Sequence, residues 1–156
     1  MMSEVFPPKS VENVIEKCFE KYREDICKKS SAEKIEMGFY HPKGALFSVG
    51  VCLWKTPEDY IGHFSLTELS GCCGTLVSHG SRVEEKYRGK GIGNLLMLLR
   101  EDIAKRMKYS QMIATARSTN EVQKFLFSKR GWIMSGSYRN SRTGNMVINF
   151  YKNLGD

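Results

Sequence analysis

Apolar residues recur at three- and four-residue spacing near the start of the chain, at Val11, Val14, Ile15, Cys18, Phe19, Tyr22 and Ile26. That period predicts an amphipathic helix of about five turns, with Pro7-Pro8 as an extended lead and Ser10 as its N-cap. Its far side carries Glu12, Glu16, Glu20 and Glu24 in one i,i+4 row, which reads first as a solvated face. After Lys28-Lys29-Ser30-Ser31 the period shortens to that of strands. Residues 35–40, 45–54, 60–66 and 75–83 read as strands. Turn signals at His41–Gly44, Lys55–Asp59 and Ser70-Gly71 separate them, so a meander of antiparallel strands is predicted. Ile92, Leu95, Leu96, Leu99, Ile103 and Met107 then describe a second amphipathic helix. Met112–Ala116 is a short apolar strand that completes a β–α–β crossover. Asn120 caps a third helix with Gln123 placed for a capping box, and Lys129-Arg130-Gly131 ends it. Residues 132–138 and 146–152 form a closing hairpin around Arg142–Asn145. The expected architecture is one α+β domain over residues 1–156, a mixed and mostly antiparallel sheet flanked by helices.

The segment most informative for chemistry joins the fourth strand to the second helix: Val83-Glu-Glu-Lys-Tyr-Arg88-Gly89-Lys90-Gly91-Ile92-Gly93-Asn94. Three glycines at alternate positions leave no Cβ between backbone N–H groups and a ligand. A helix starting there aims unpaired amides and the positive end of its dipole at the loop. A phosphate or diphosphate suits such a site, with Arg88 and Lys90 adding charge; a plain strand-to-helix turn is the bland alternative. The spacing is not that of a P-loop, which needs Gly-x-x-x-x-Gly-Lys-Ser/Thr. Nor is it the dinucleotide fingerprint, because Asn94 stands where that motif has glycine or alanine.

The run Arg-x-x-Gly-x-Gly at Arg88–Gly93, with Val83 five residues upstream, resembles the acetyl-CoA signature of the GNAT superfamily of CoA-dependent N-acyltransferases. Asn120–Trp132 resembles the superfamily's Asn-x-x-Ala-x-x-Leu-Tyr-Glu-Lys-x-Gly-Phe segment. Asn120, Leu126, Lys129 and Gly131 agree, Trp132 is an aromatic replacement, and Gln123, Phe127 and Ser128 depart from it. Tyr60–Leu66 is similar to the family's third strand, and the clear likeness runs from Tyr60 to Trp132. The resemblance implies acetyl-CoA as acyl donor, no metal, and transfer to a primary amine by direct attack. It implies that the strand ending at Val83 splays from its neighbour, with an amide at or near Val83 as oxyanion donor. The diphosphate would rest on amides from Arg88 through Gly89, Lys90, Gly91, Ile92 and Gly93 to Asn94, with Glu85, Asn120 and Phe127 also at the cofactor. In this superfamily the first helices shape the acceptor pocket, so the glutamate row could also form an acidic lip for a cationic amine.

Strand alternation puts Val77, His79, Ser81 and Val83 on one face. His79 lies four residues before Val83, where arylalkylamine-type members carry a catalytic histidine. Val77 stands where other members use glutamate. A histidine near its ordinary pKa of about 6.5 is suited to accept an ammonium proton, and a satisfied strand histidine is the alternative. His63 and Glu68 are fallback bases, while His41 beside Pro42 reads as turn chemistry. The general acid is the main departure: many members place a tyrosine hydroxyl near the CoA sulfur, and Phe127 holds that position here. Tyr87, Tyr138 and Tyr151 are the available substitutes.

Charge and cysteines refine this picture. The net charge of +7 is uneven: residues 1–81 hold 9 Lys/Arg against 11 Asp/Glu, and residues 82–156 hold 15 against 6. The basic half contains the phosphate loop, so a polyanionic ligand accounts for part of that field. A nucleic-acid partner, with Tyr138, Arg139, Asn140 and Arg142 in the hairpin, would account for the rest but is not favoured. Five cysteines without Cys-x-x-Cys and three scattered histidines show no metal-ligand spacing and suit a reducing cytoplasm. Cys72 and Cys73 read as small apolar residues beginning a strand, with an acyl-carrying nucleophile as the sharper alternative. No run has the length of a membrane span, and the charged start does not read as a signal peptide. Three functions stay open: an N-acetyltransferase with a small-molecule or protein acceptor, an acyl-CoA-binding protein without catalysis, and an acetyltransferase directed at nucleic acid or aminoacyl-tRNA. A homodimer is also open.

Overall fold

The computed structural model describes residues 8–43 and 47–155. Its elements are α1 (Pro8–Ser30), β1 (Glu36–Tyr40), β2 (Ser48–Thr56), β3 (Asp59–Glu68), β4 (Thr75–Val83), α2 (Ile92–Arg106), β5 (Gln111–Arg117), α3 (Glu121–Lys129), β6 (Ile133–Arg139) and β7 (Met146–Asn153). One seven-stranded sheet has the order β1-β2-β3-β4-β5-β7-β6, and only the β4–β5 pairing is parallel. The architecture is the α+β mixed sheet expected. β7 returns between β5 and β6, leaving β6 at the edge, exposed along its whole length with Ile133 and Met134 facing solvent. Among the described residues no helix is long and apolar enough to cross a membrane.

The two faces of the sheet differ. Val49, Val51 and Leu53 of β2, Phe64 and Leu66 of β3, Leu76 of β4 and Met112 of β5 point to the helices and are fully buried. The helices complement them with Ile15, Phe19 and Ile26 of α1 and Leu96, Leu99 and Ile103 of α2. Each such side chain contributes roughly 1.5–3 kcal/mol of transfer free energy. α1 and α2 lie antiparallel, joined where the Tyr22 hydroxyl and Lys21 meet the Asp102 carboxylate. α3 lays Phe127 on Phe150 of β7, a stacked pair with centroids 4.6 Å apart, and against Trp132 at 4.8 Å. The opposite face carries Ser48, Cys52, His63, Ser65, Thr67 and His79, with no helix over them among the described residues.

Several local expectations change. α1 begins at Pro8, so Ser10 lies in its first turn and is not the cap; proline suits such a start because its missing N–H is not needed there. The helix ends in a Schellman arrangement: Ser31 takes φ 53°, Ala32 N–H donates to Cys27 O at 2.9 Å and Ser31 N–H to Lys28 O at 3.3 Å. In the glutamate row, Glu12 is hydrogen-bonded to His41 at 2.9 Å, while Glu20 pairs with Arg23 and Glu24 with Lys28, so most of the row is engaged with local partners rather than gathered into a lip. Cys72 and Cys73 are exposed in the turn before β4 and do not begin it, because Gly71 and Gly74 both take positive φ. Residues 45 and 46 and the Pro7 lead lie outside the described residues.

Candidate active site

β4 and β5 pair only at Thr75–Gln111, Leu76–Met112 and Val77–Ile113, although β4 continues to Val83 and β5 to Arg117. Beyond Val77 the two strands part, and the gap between them opens toward the glycine loop. The splay implied by the family likeness is therefore present. Gly62 of β3 lies opposite Val83, and Glu84 N–H donates to Ile61 O at 2.8 Å. In an antiparallel ladder this makes Gly62–Val83 a non-hydrogen-bonded pair, so the Val83 N–H and C=O face away from β3 and into the gap.

The alternation expected along β4 breaks before it reaches Val83. Ser65 pairs with His79 and His63 with Arg82, so Gly80 and Ser81 together face the single residue Phe64. This bulge uses Gly80 at φ 61°. One extra residue reverses the parity: His79 faces the uncovered side with Ser65 and His63, whereas Val83 points to the helices. A Cβ on Gly93 would stand 3.9 Å from Val83 Cγ2. His79 and Val83 therefore do not share a face. They flank the gap from opposite sides.

On the open face, His79 Nε2 is 2.8 Å from Thr67 Oγ1, and Thr67 Oγ1 is 2.7 Å from Ser48 Oγ. Desolvation by its neighbours holds the His79 imidazole below its ordinary pKa. His63 is also lowered, by burial and then by the Arg82 charge, and its Nδ1 is hydrogen-bonded to the Tyr60 hydroxyl. Behind β4, Arg100 is almost fully buried. Its Nη1 donates to Ser78 Oγ at 2.6 Å and its Nε to Leu96 O at 3.1 Å, and burial pulls the guanidinium down to about 10.

From Val83 the chain passes through a single 3₁₀ turn, Glu85–Tyr87, that periodicity did not predict. Tyr87 is buried, and its hydroxyl donates to Asp59 Oδ1 at 2.8 Å, which anchors the loop on the start of β3. Tyr87 is thereby occupied and is no substitute acid. Gly91 caps α2 in the left-handed region at φ 87°; no side chain caps the helix and its first turn holds no acidic residue. The amides of Ile92, Gly93 and Asn94 are therefore not engaged by a capping side chain. Gly89 also takes positive φ, at 74°, while Gly93 is helical and a Cβ there would make ordinary contacts.

Other expected residues are placed differently. Arg88 turns back, its Nε donating to Val83 O at 2.8 Å. Lys90 lies over the Tyr87 ring at 5.5 Å. Glu85 is exposed at the start of the 3₁₀ turn. Asn120 Oδ1 accepts from Gln123 N–H at 3.1 Å as a true N-cap, and the reciprocal half of the capping box is not formed. The Phe127 ring is in the core at 2 % exposure and does not line the gap. Asn94 Oδ1 is buried without a hydrogen-bond partner among the described residues.

A family profile described as "Acetyltransferase (GNAT) family" matches residues 9–132. Among solved structures the chain is similar to nourseothricin acetyltransferase, at 17% identity over 69% of this chain and 66% of that one, with TM-score 0.60. It is similar to the ribosomal-protein-S18-alanine N-acetyltransferase from Escherichia coli, at 12% identity over 70% of each chain and TM-score 0.59. It also matches an acetyltransferase from Bacillus subtilis in complex with CoA, at 13% identity over 77% of this chain and 99% of that one, TM-score 0.61. The chain thus spans just under two thirds of the nourseothricin enzyme and nearly all of the Bacillus protein. At these identities the likeness speaks for the fold. None of the curated proteins matches by sequence.

Proposed function

Because the chain belongs to the acetyltransferase (GNAT) family, we propose that it is an acetyl-CoA-dependent N-acetyltransferase, a single cytoplasmic domain that acetylates a primary amine by direct attack. The observation that carries this reading is the gap between β4 and β5, which ends on the α2 start that no side chain caps. Amides from Arg88 to Asn94 hold the diphosphate of CoA, in the manner general to helix N-termini. The Val83 C=O, which already accepts from Arg88 Nε, offers its second lone pair to the pantetheine arm. The Val83 N–H donates to the carbonyl oxygen as it becomes an oxyanion; loss of such a donor typically costs about 10²–10³-fold in rate.

The acceptor approaches from the open face, where His79 lies. His79 takes the ammonium proton at Nδ1, the ring nitrogen that Thr67 does not engage, directly or through water; the free amine adds to the carbonyl carbon, and the C–S bond breaks as the new nitrogen sheds its second proton to solvent. The sulfur leaves as a thiolate. With Phe127 in the core and the Tyr87 hydroxyl bonded to Asp59, neither of these residues protonates it. A thiol pKa of about 8.5 makes the anion a fair leaving group, and a missing general acid costs roughly 10²–10⁴-fold without abolishing turnover. The acceptor is a primary amine on a small molecule or a protein. The range is wide among similar folds, since one neighbour is named for nourseothricin and another for a ribosomal protein's alanine.

The test is thiol release from acetyl-CoA with panels of small amines, polyamines, peptides and aminoacyl-tRNA. Binding of CoA with no turnover on any acceptor would make the chain an acyl-CoA binder instead. Because the His79 pKa is lowered, activity is expected to fall on the acid side at a midpoint below the ordinary histidine value of about 6.5. His79→Gln should remove that acidic limb and lower kcat by about 10²-fold. An unchanged pH–rate profile would take His79 out of the mechanism.

A further inference from the structure

Of the cations in the loop, Lys86 pairs with Asp59, Arg88 is bonded to Val83 O and Lys90 lies over the Tyr87 ring. A further cation stands at Gly91, from an element remote in sequence. Lys29, in the last turn of α1, reaches across to Gly91: its Nζ, Cε and Cδ lie 3.2, 3.6 and 3.9 Å from the point where a Cβ on Gly91 would stand. We propose that Lys29 is a ligand for the diphosphate of CoA, completing from α1 the site that the α2 amides begin. The inference rests on the cofactor reading above and adds a charged residue to it.

The position of Lys29 is built. The Schellman turn at Ser31 fixes the end of α1, and Ser30, buried, donates through Oγ to Ile26 O at 2.7 Å. The antiparallel packing of α1 on α2, tied at Asp102, brings that end beside the start of α2. Electrostatics then leaves the lysine without a partner. Lys28 pairs with Glu24 at 2.7 Å, but among the described residues Lys29 has no carboxylate within 4 Å. It faces the positive pole of α2, whose first turn contains no Asp or Glu. An ammonium beside three free amides and a helix N-terminus is repelled by what it touches until an anion lies between them. A diphosphate, with charge on both phosphates and several acceptor oxygens, satisfies the lysine and the amides together. Gly91 has a second reason to lack a side chain, since a Cβ there would press on the ammonium.

The experiment is titration calorimetry of the full chain with CoA and with dephospho-CoA, which keeps the diphosphate and lacks the 3′-phosphate. Lys29→Gln is expected to weaken both ligands about tenfold, a charge-assisted contact at the modest end of its range. The difference should shrink as ionic strength rises, because the site is open to solvent. Lys29→Arg should bind within about threefold of the unsubstituted chain. Lys28→Gln, which makes the same change of charge one residue away, should leave affinity unaltered. Equal binding by the unsubstituted chain and Lys29→Gln would overturn the assignment. So would a loss seen with CoA but not with dephospho-CoA, which would move Lys29 to the 3′-phosphate. Failure of the unsubstituted chain to bind CoA at all is a separate result: it would remove the cofactor reading itself.

Discussion

Gly91→Val is expected to weaken CoA binding by roughly two orders of magnitude and to destabilise the fold by about 2 kcal/mol. Both effects arise from one position. At φ 87° a β-branched residue is forced into the left-handed region, where its Cβ meets the following carbonyl. That Cβ would also stand 3.2 Å from Lys29 Nζ, and its methyl groups would crowd the loop where the first α2 amides are offered. Gly93→Ala is the informative contrast. Its Cβ would meet Leu126 Cδ1 and Val83 Cγ2 at 3.9 Å, ordinary van der Waals distances, within a helix that prefers alanine by about 1 kcal/mol. Stability should therefore hold or rise with alanine at 93 and fall with valine at 91. Urea denaturation and calorimetry on the two variants measure this, and equal stability losses would contradict the distinction drawn between the two glycines.

The second large effect is expected at Glu101, 2 % exposed, where three elements converge on one carboxylate. Trp132 Nε1 donates to Oε1 at 2.9 Å, and Lys152 Nζ donates to Oε2 at 3.0 Å and to Arg130 O at 2.6 Å. Arg130 Nη2 stands 3.6 Å from the same carboxylate. Glu101→Ala leaves two part-buried cations and a buried indole N–H without their carboxylate, so a loss of about 3 kcal/mol is expected by urea denaturation. Glu101→Leu with Lys152→Met removes the stranded ammonium as well as the carboxylate and should recover part of that loss. If the single variant lost less than about 1 kcal/mol, the cluster would not be what ties α2 to the end of α3 and to β7.

What could be read from the chain and what could not divide along a physical line. Period and turn chemistry are local, so the three helices, the meander and the closing hairpin were legible, with errors at ends such as Ser10. The glycine loop was legible because strand, loop and helix start are contiguous. The face of Val83 relative to His79 was not. One bulged residue at Gly80–Ser81 reverses every side chain after it, and glycine within a strand does not announce whether it bulges. The directions of Arg88 and Lys90 depend on Val83 O and the Tyr87 ring, which the fold supplies. Phe127 stood in the cofactor segment by resemblance, yet its ring completes an aromatic stack with Phe150 and Trp132. Lys29 lay in a run that served only to mark a helix end. Pairing α1 against α2 in antiparallel register would have exposed it, and that register appears only when both apolar stripes are docked.

With every helix on one side of the sheet, the gap between β4 and β5 has two mouths. One opens at the loop before α2, and the other on the bare face of His79 and Thr67. In the proposed reaction a thioester and an amine that arrive by separate entrances do not compete for one door. Neither must depart before the other arrives. Initial-rate lines at several fixed acceptor concentrations should therefore intersect rather than run parallel, and a desulfurised donor analogue should not raise the apparent KM for the amine.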